Sequence, residues 1–119
     1  MSMRPSQTVK EQQKAYAKRL LSALGKQLAM REVTAVLVVA EDGRPALDVT
    51  DSLCKMRRVF VHLPFCWFYW GDQGDERVSF LQMPVAVDRI EQAAREGWRE
   101  GEQGELSVDL SKIIDAYRV

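Results

Sequence analysis

Apolar and polar positions along this chain change their period from segment to segment, and each change predicts an element. From Val9 to Ala29 the apolar residues recur at helical spacing, with Val9, Tyr16, Ala17, Leu20, Leu24 and Leu28 on one stripe. Thr8 opens Thr-Val-Lys-Glu, a capping-box pattern that places the helix start at Val9 and leaves residues 1–7 as a loose terminus. Val33–Ala40 is a continuous, β-branched apolar run and predicts a buried strand. Asp42-Gly43 follows, a turn signal for a type I′ hairpin because both central positions of that turn need positive φ. Ala46–Thr50 alternates and returns as the hairpin partner, and residues 51–56 form a loop or a frayed continuation.

Arg57–Leu63 predicts a third strand with Val59, Val61 and Leu63 on one face. Pro64 interrupts pairing and marks an edge, a bulge or a turn. Phe65–Trp70 predicts the fourth strand, Gly71–Asp75 a loop, and Glu76–Leu81 the fifth strand. The short links favour an antiparallel meander, since a parallel crossover needs about a dozen residues. Pro84 suits a helical first turn, and Val87, Ile90, Ala94 and Trp98 then share a stripe, while Asp88, Gln92, Arg95, Glu96 and Arg99 face away. Gly101 and Gly104 are the expected stop of that helix. Leu106–Val108 predicts a short extended piece, and Asp109 caps a last helix over Leu110–Tyr117. The expected fold is α+β, a five-stranded antiparallel meander flanked by an N-terminal and a C-terminal helix, with a short last helix.

The segment from Arg57 to Leu81 holds most of the chain's ten aromatic side chains, and they alternate onto both faces of their strands. Such strands need cover on both faces. Helices of the same chain supply one cover, and a partner chain is the expected source of the second. Trp and Tyr are favoured interface anchors, so Phe60, Trp67 and Tyr69, with Trp98 as a weaker candidate, form the expected interface. If the helices cover the Trp67 and Tyr69 face, the interface passes to Phe68, Trp70 and Val61.

At 119 residues and 46% apolar composition the chain forms one domain with a packed core, residues 99–119 being a C-terminal extension. No segment approaches the roughly 18 uncharged apolar residues of a membrane span. The start, Met1-Ser2-Met3-Arg4-Pro5, lacks the apolar run of a secretory signal, so a cytoplasmic, soluble protein with reduced Cys54 and Cys66 is expected.

Net charge is zero but unevenly spread: residues 1–31 carry seven basic groups against one acidic, and residues 71–119 six against eleven. The two ends complement each other, within one chain or across a dimer. Lys10, Lys14 and Lys18 form a row at i, i+4, i+8 beside the apolar stripe, most simply a solvated edge whose aliphatic stems cover that stripe and otherwise, with Arg57 and Arg58, a contact for an acidic partner surface such as the acidic half of a second copy.

Candidate chemistry is sparse. His62 is the single histidine, so any Ser-His-Asp or Cys-His mechanism must use it, and Cys66 lies four residues on. No nucleophile motif surrounds either residue. Cys54, His62 and Cys66 fall one short of the four ligands of a structural zinc site. Asp72, Asp75 and Glu76 do not match a calcium loop and are expected as a solvated turn, and no phosphate-binding glycine motif is present. No cofactor is expected. Trp67-Phe68-Tyr69-Trp70 with Lys10, Lys14, Lys18, Arg57 and Arg58 is the one arrangement that resembles a stacking platform for nucleic acid, although the neighbouring acidic loop opposes phosphate.

Glu41-Asp42-Gly43-Arg44-Pro45-Ala46-Leu47-Asp48-Val49-Thr50, Cys66-Trp67-Phe68-Tyr69-Trp70-Gly71, Glu76-Arg77-Val78 and Pro84 through Ala94 occur in the order of a loosely defined group of small uncharacterised actinobacterial proteins, which residues 18–98 resemble. The resemblance implies the architecture above and a bacterial cytoplasm. It carries over no activity and no functional residue.

Three functions follow in order of expectation. The first is a non-enzymatic protein-interaction or regulatory protein, acting as a homodimer or a subunit of a complex. The second is nucleic-acid binding through the basic helix and the aromatic strand. The third is a small-molecule binder or enzyme with a pocket near His62 and Cys66.

Overall fold

A computed structural model describes residues 5–99. The expected turn glycines Gly101 and Gly104, the extended piece Leu106–Val108 and the helix Leu110–Tyr117 lie outside these residues. Helix α1 (Pro5–Met30) is followed by strands β1 (Ala35–Val39), β2 (Pro45–Thr50), β3 (Met56–His62), β4 (Trp67–Tyr69) and β5 (Arg77–Ser79), then helix α2 (Met83–Glu96). The strands lie in the order β1-β2-β3-β4-β5, every neighbouring pair antiparallel. This is the predicted α+β meander with a helix on either side of it in sequence.

Both helices pack on one face of the sheet. Leu21, Leu24 and Leu28 of α1 and Ala86, Val87, Ile90 and Ala94 of α2 bury against Leu47, Val49, Val59, Phe68 and Val78. Each such large side chain contributes roughly 1.5–3 kcal/mol on burial. Arg31, at the end of α1, clasps α2 through Asp88 and Glu91. Part of the charge asymmetry between the two ends is thus neutralised within the chain.

Several boundaries differ from expectation. Helix α1 starts at Pro5, before the Thr8 box, and Leu21 rather than Leu20 is among its fully buried residues, while Val9 and Tyr16 are exposed. A helix of 26 residues is about 39 Å long, whereas a seven-residue strand spans about 23 Å, so the first turns overhang the sheet. Strand β1 is an edge strand rather than a buried one, with Val36 and Val39 exposed. In the β1–β2 turn only Gly43 takes positive φ, and its N–H closes back on the Ala40 carbonyl. The loop therefore has three residues and is not type I′. Phe65 and Cys66 belong to the β3–β4 turn, not to β4: Cys66 has φ 58° and its N–H donates to the Leu63 carbonyl. Helix α2 ends at Glu96, where Gly97 (φ 93°) turns the chain, so Trp98 and Arg99 lie beyond the helix.

The sheet forks between β2 and β3. Ala40 N–H donates to the Arg44 carbonyl and Thr50 N–H to the Thr34 carbonyl, so the even-numbered residues of β2 direct their backbone groups toward β1. The odd-numbered residues face β3, and Pro45, the next odd position after Leu47, has no N–H to donate. The β2–β3 ladder stops at Leu47–Val59, and the second half of β3 pairs with β4 alone, from Phe60–Tyr69 to His62–Trp67. Two half-sheets share β3, and the gap between Pro45 and the end of β3 opens beneath the overhanging start of α1.

Candidate functional site

Beneath that overhang lies a cleft of about 340 Å³. Helix α1 lines it with Lys10, Gln13, Lys14 and Ala17, and the start of β2 with Arg44 and Pro45. Phe60 through Pro64 and Tyr69 form the remaining wall. Lys10 and Lys14 are one helical turn apart, so both ammonium groups share one rim of the cleft. Neither has a carboxylate partner among the described residues.

Arg44 is held in place from several sides. Its Nε donates to Asp42 Oδ2 (2.5 Å), its Nη1 donates to the Tyr69 hydroxyl (3.0 Å), and its guanidinium lies 4.3 Å over the Phe60 ring. The Arg44 backbone N–H, with its guanidinium, holds the Asp42 carboxyl below the usual carboxylate range. Burial pushes the Tyr69 hydroxyl up, although Arg44 opposes that shift. Phe60 and Tyr69 stack at 5.7 Å and retain only 6% and 3% exposure. Much of the cover on this second face therefore comes from the chain's own arginines. Arg77 does the same for Trp67, 4.4 Å from its ring.

His62 accepts a hydrogen bond at Nδ1 from the Phe65 N–H (3.2 Å) and stacks on the Phe65 ring at 4.7 Å. The accepting Nδ1 is unprotonated, which leaves Nε2 as the N–H donor. Burial holds His62 below its ordinary value of 6.5. As pH falls below that value the unfolded chain binds more protons than the folded one, so stability is full above it and declines through the lowered folded-state pKa. Thermal unfolding followed from about pH 7 to about pH 5 is expected to show this decline in the wild type and a flatter profile in His62→Gln. Equal slopes in the two proteins would refute the assignment.

The residues singled out from the sequence do not all come together. Lys10, Lys14, Phe60, His62 and Tyr69 meet at the cleft, with Trp67 beside them against His62 and Phe65. Lys18 is exposed and does not line it. Arg57 and Arg58 point to opposite faces of β3: Arg57 pairs with Glu76 and Arg58 with Asp48, each at 3.0 Å. The five cations considered for nucleic acid thus form no common surface.

Trp98 is engaged inside the chain. Its Nε1 donates to the Val49 and Lys55 carbonyls, and its backbone N–H to Asp51 Oδ2. Buried Asp51 also accepts from the Leu53 and Lys55 N–H groups. Burial pushes this carboxyl up, but its three backbone donors outweigh burial and hold it below the usual range.

Glu76 is buried rather than part of a solvated acidic turn, while Asp75 pairs with Arg99. Among the described residues no group of three or more His, Cys, Asp or Glu side chains is placed to hold a metal ion. Cys54 and Cys66 are free thiols, Cys54 exposed and Cys66 half-buried.

Gln13, Arg44 and Pro45 line the cleft without having been singled out as candidates from the sequence. The signal available was a proline at the first position of a strand, which forbids one ladder bond.

Fold and cleft together define an α+β protein with a forked antiparallel meander and a cationic, apolar-floored cleft at the fork. Comparisons with known protein families, with curated proteins and with solved structures find no match for this chain.

Proposed function

We propose that this protein is a non-enzymatic interaction subunit of the bacterial cytoplasm that pairs with a second copy of itself through strand β1. The observation that carries the reading is the contrast between the two edges of the sheet. Strand β5 is short, three residues, and carries Arg77. Strand β1 is Ala35-Val36-Leu37-Val38-Val39, with no charge, no proline and no bulge in its pairing to β2. Val36 is 54% exposed and Val39 72%. Natural edge strands are blunted by charge, proline, bulges or short length, and an unblunted one is a template for another strand.

A second copy fits this edge. Antiparallel pairing about a two-fold axis at Leu37 sets Val36 against the partner's Val38 and Ala35 against the partner's Val39, so no charged residue opposes another. The outer faces of the two sheets then continue into one another. Phe60 and Tyr69, the interface residues expected from sequence, line the cleft of each copy.

The test is molar mass by light scattering coupled to size exclusion. The wild type is expected near twice 13.6 kDa, and Val36→Lys, at an exposed position that leaves the fold intact, near the single-chain mass. A wild-type monomer at micromolar concentration, or a Val36→Lys protein that remains dimeric, would overturn the reading.

A further inference from the structure

We infer that the cleft at the β2–β3 fork is a binding site for a small molecule with a carboxylate head and an apolar body. No residue of β1 lines it, so the inference stands apart from self-pairing. Its volume of about 340 Å³ falls at the small end of ligand pockets.

The charge of the site is one-sided. Lys10, Lys14 and Arg44 line it, and among the described residues no acidic side chain does. Asp42 pairs with Arg44 through Nε and offsets part of its charge, while Nη1 is turned to Tyr69, so the guanidinium is held in one orientation. Tyr69 accepts from Arg44, which leaves its own O–H to donate. His62 contributes a further N–H donor, because its Nδ1 is occupied by the Phe65 amide. Two lysines without a carboxylate partner among the described residues, an oriented guanidinium and two neutral donors line one cleft, a set that selects an anion.

The floor decides what the anion is attached to. Pro45, Val61, Leu63 and Pro64 present an aliphatic wall, and Phe60 lies beneath Arg44. A free inorganic anion leaves this surface wet, whereas an apolar body removes it from water. The required ligand is therefore amphipathic, with its head at the α1 and Arg44 rim and its body along the end of β3.

The experiment is calorimetric titration of the full chain at low salt with decanoate, 4-phenylbutyrate, decanol and inorganic phosphate. At least one of the two carboxylates is expected to bind saturably, one per chain, and the tighter of them assigns an aliphatic or aromatic body. Decanol and phosphate are each expected to bind about tenfold more weakly or not at all, since each lacks half of the recognition. Lys10→Gln and Lys14→Gln are each expected to weaken carboxylate binding about tenfold, as is Gln13→Glu, which sets a negative charge on the rim at an exposed position. None of the three should alter decanol binding.

The inference fails if neither carboxylate binds saturably. It also fails if decanol or phosphate binds as tightly as the better carboxylate, or if all three variants bind it as the wild type does.

Discussion

Phe68→Ala is expected to destabilise the protein by about 3–5 kcal/mol, a large share of the roughly 5–15 kcal/mol that holds a typical domain. Phe68 has no exposed surface and sits at the middle of β4, opposite Val61 on β3 and Val78 on β5. Its ring meets Phe80 edge-on at 6.1 Å, and the buried leucines of α1 belong to the same core. Truncation removes the ring's transfer free energy and leaves a cavity that three strands and two helices cannot all close upon. Urea unfolding should show a lower midpoint with an unchanged slope. Trp67→Ala, one residue away on the half-buried opposite face, should cost much less. The comparison is informative because the two are neighbouring aromatic residues of one strand on opposite faces, and the larger ring is expected to cost less. Equal losses at the two positions would mean that the helices do not cover the Phe68 face.

The second large effect is expected at Glu76→Ala, about 3–5 kcal/mol. Glu76 and Arg57 pair at 3.0 Å with only 8% and 10% of their side chains exposed. Removing the carboxylate leaves a guanidinium in a site whose geometry was built around the pair, and such a charge costs far more than a surface ion pair is worth. Arg57 also donates to the Arg99 carbonyl and lies 5.9 Å from the Trp98 ring, so the loss should spread to the segment after α2.

Gly71 reports on the same site. A Cβ there would lie 2.3 Å from the Glu76 carboxyl carbon, so Gly71→Ala should be destabilising alone and much less so in the Glu76→Ala background. Unfolding free energies of the two single variants and the double variant close this cycle. Strict additivity would show that the carboxylate does not occupy the space beside Gly71.

Much of the architecture was legible because it depends on short-range chemistry. The alternation of Ala46 to Thr50, the short links and the turn at Asp42-Gly43 require antiparallel neighbours in sequence order, and the sheet is that meander. The stripe of Val87, Ile90 and Ala94 required an amphipathic helix, and those residues are its buried face. Lys10, Lys14, His62, Phe60 and Tyr69 were each visible as candidates, but nothing in their spacing joins α1 to the end of β3. The cleft that gathers them depends on the overhang of α1 and on one ladder bond that Pro45 cannot make.

Element type, order and antiparallel pairing were thus settled locally, since residue period, turn chemistry and link length act over a few positions. Which sheet face the helices cover was not, because the strand from Trp67 to Trp70 is apolar on both faces and period alone treats the two alike. Packing broke that tie. Phe68 and Trp70 went under the helices, while Phe60 and Tyr69 stayed on the other face with Arg44 packed over them. The same holds for Trp98, which reads as the next turn of a helical stripe until Gly97 redirects the chain and Asp51 captures its N–H. Contacts between residues nearly fifty positions apart decide such choices, and they exist only once the chain has closed on itself.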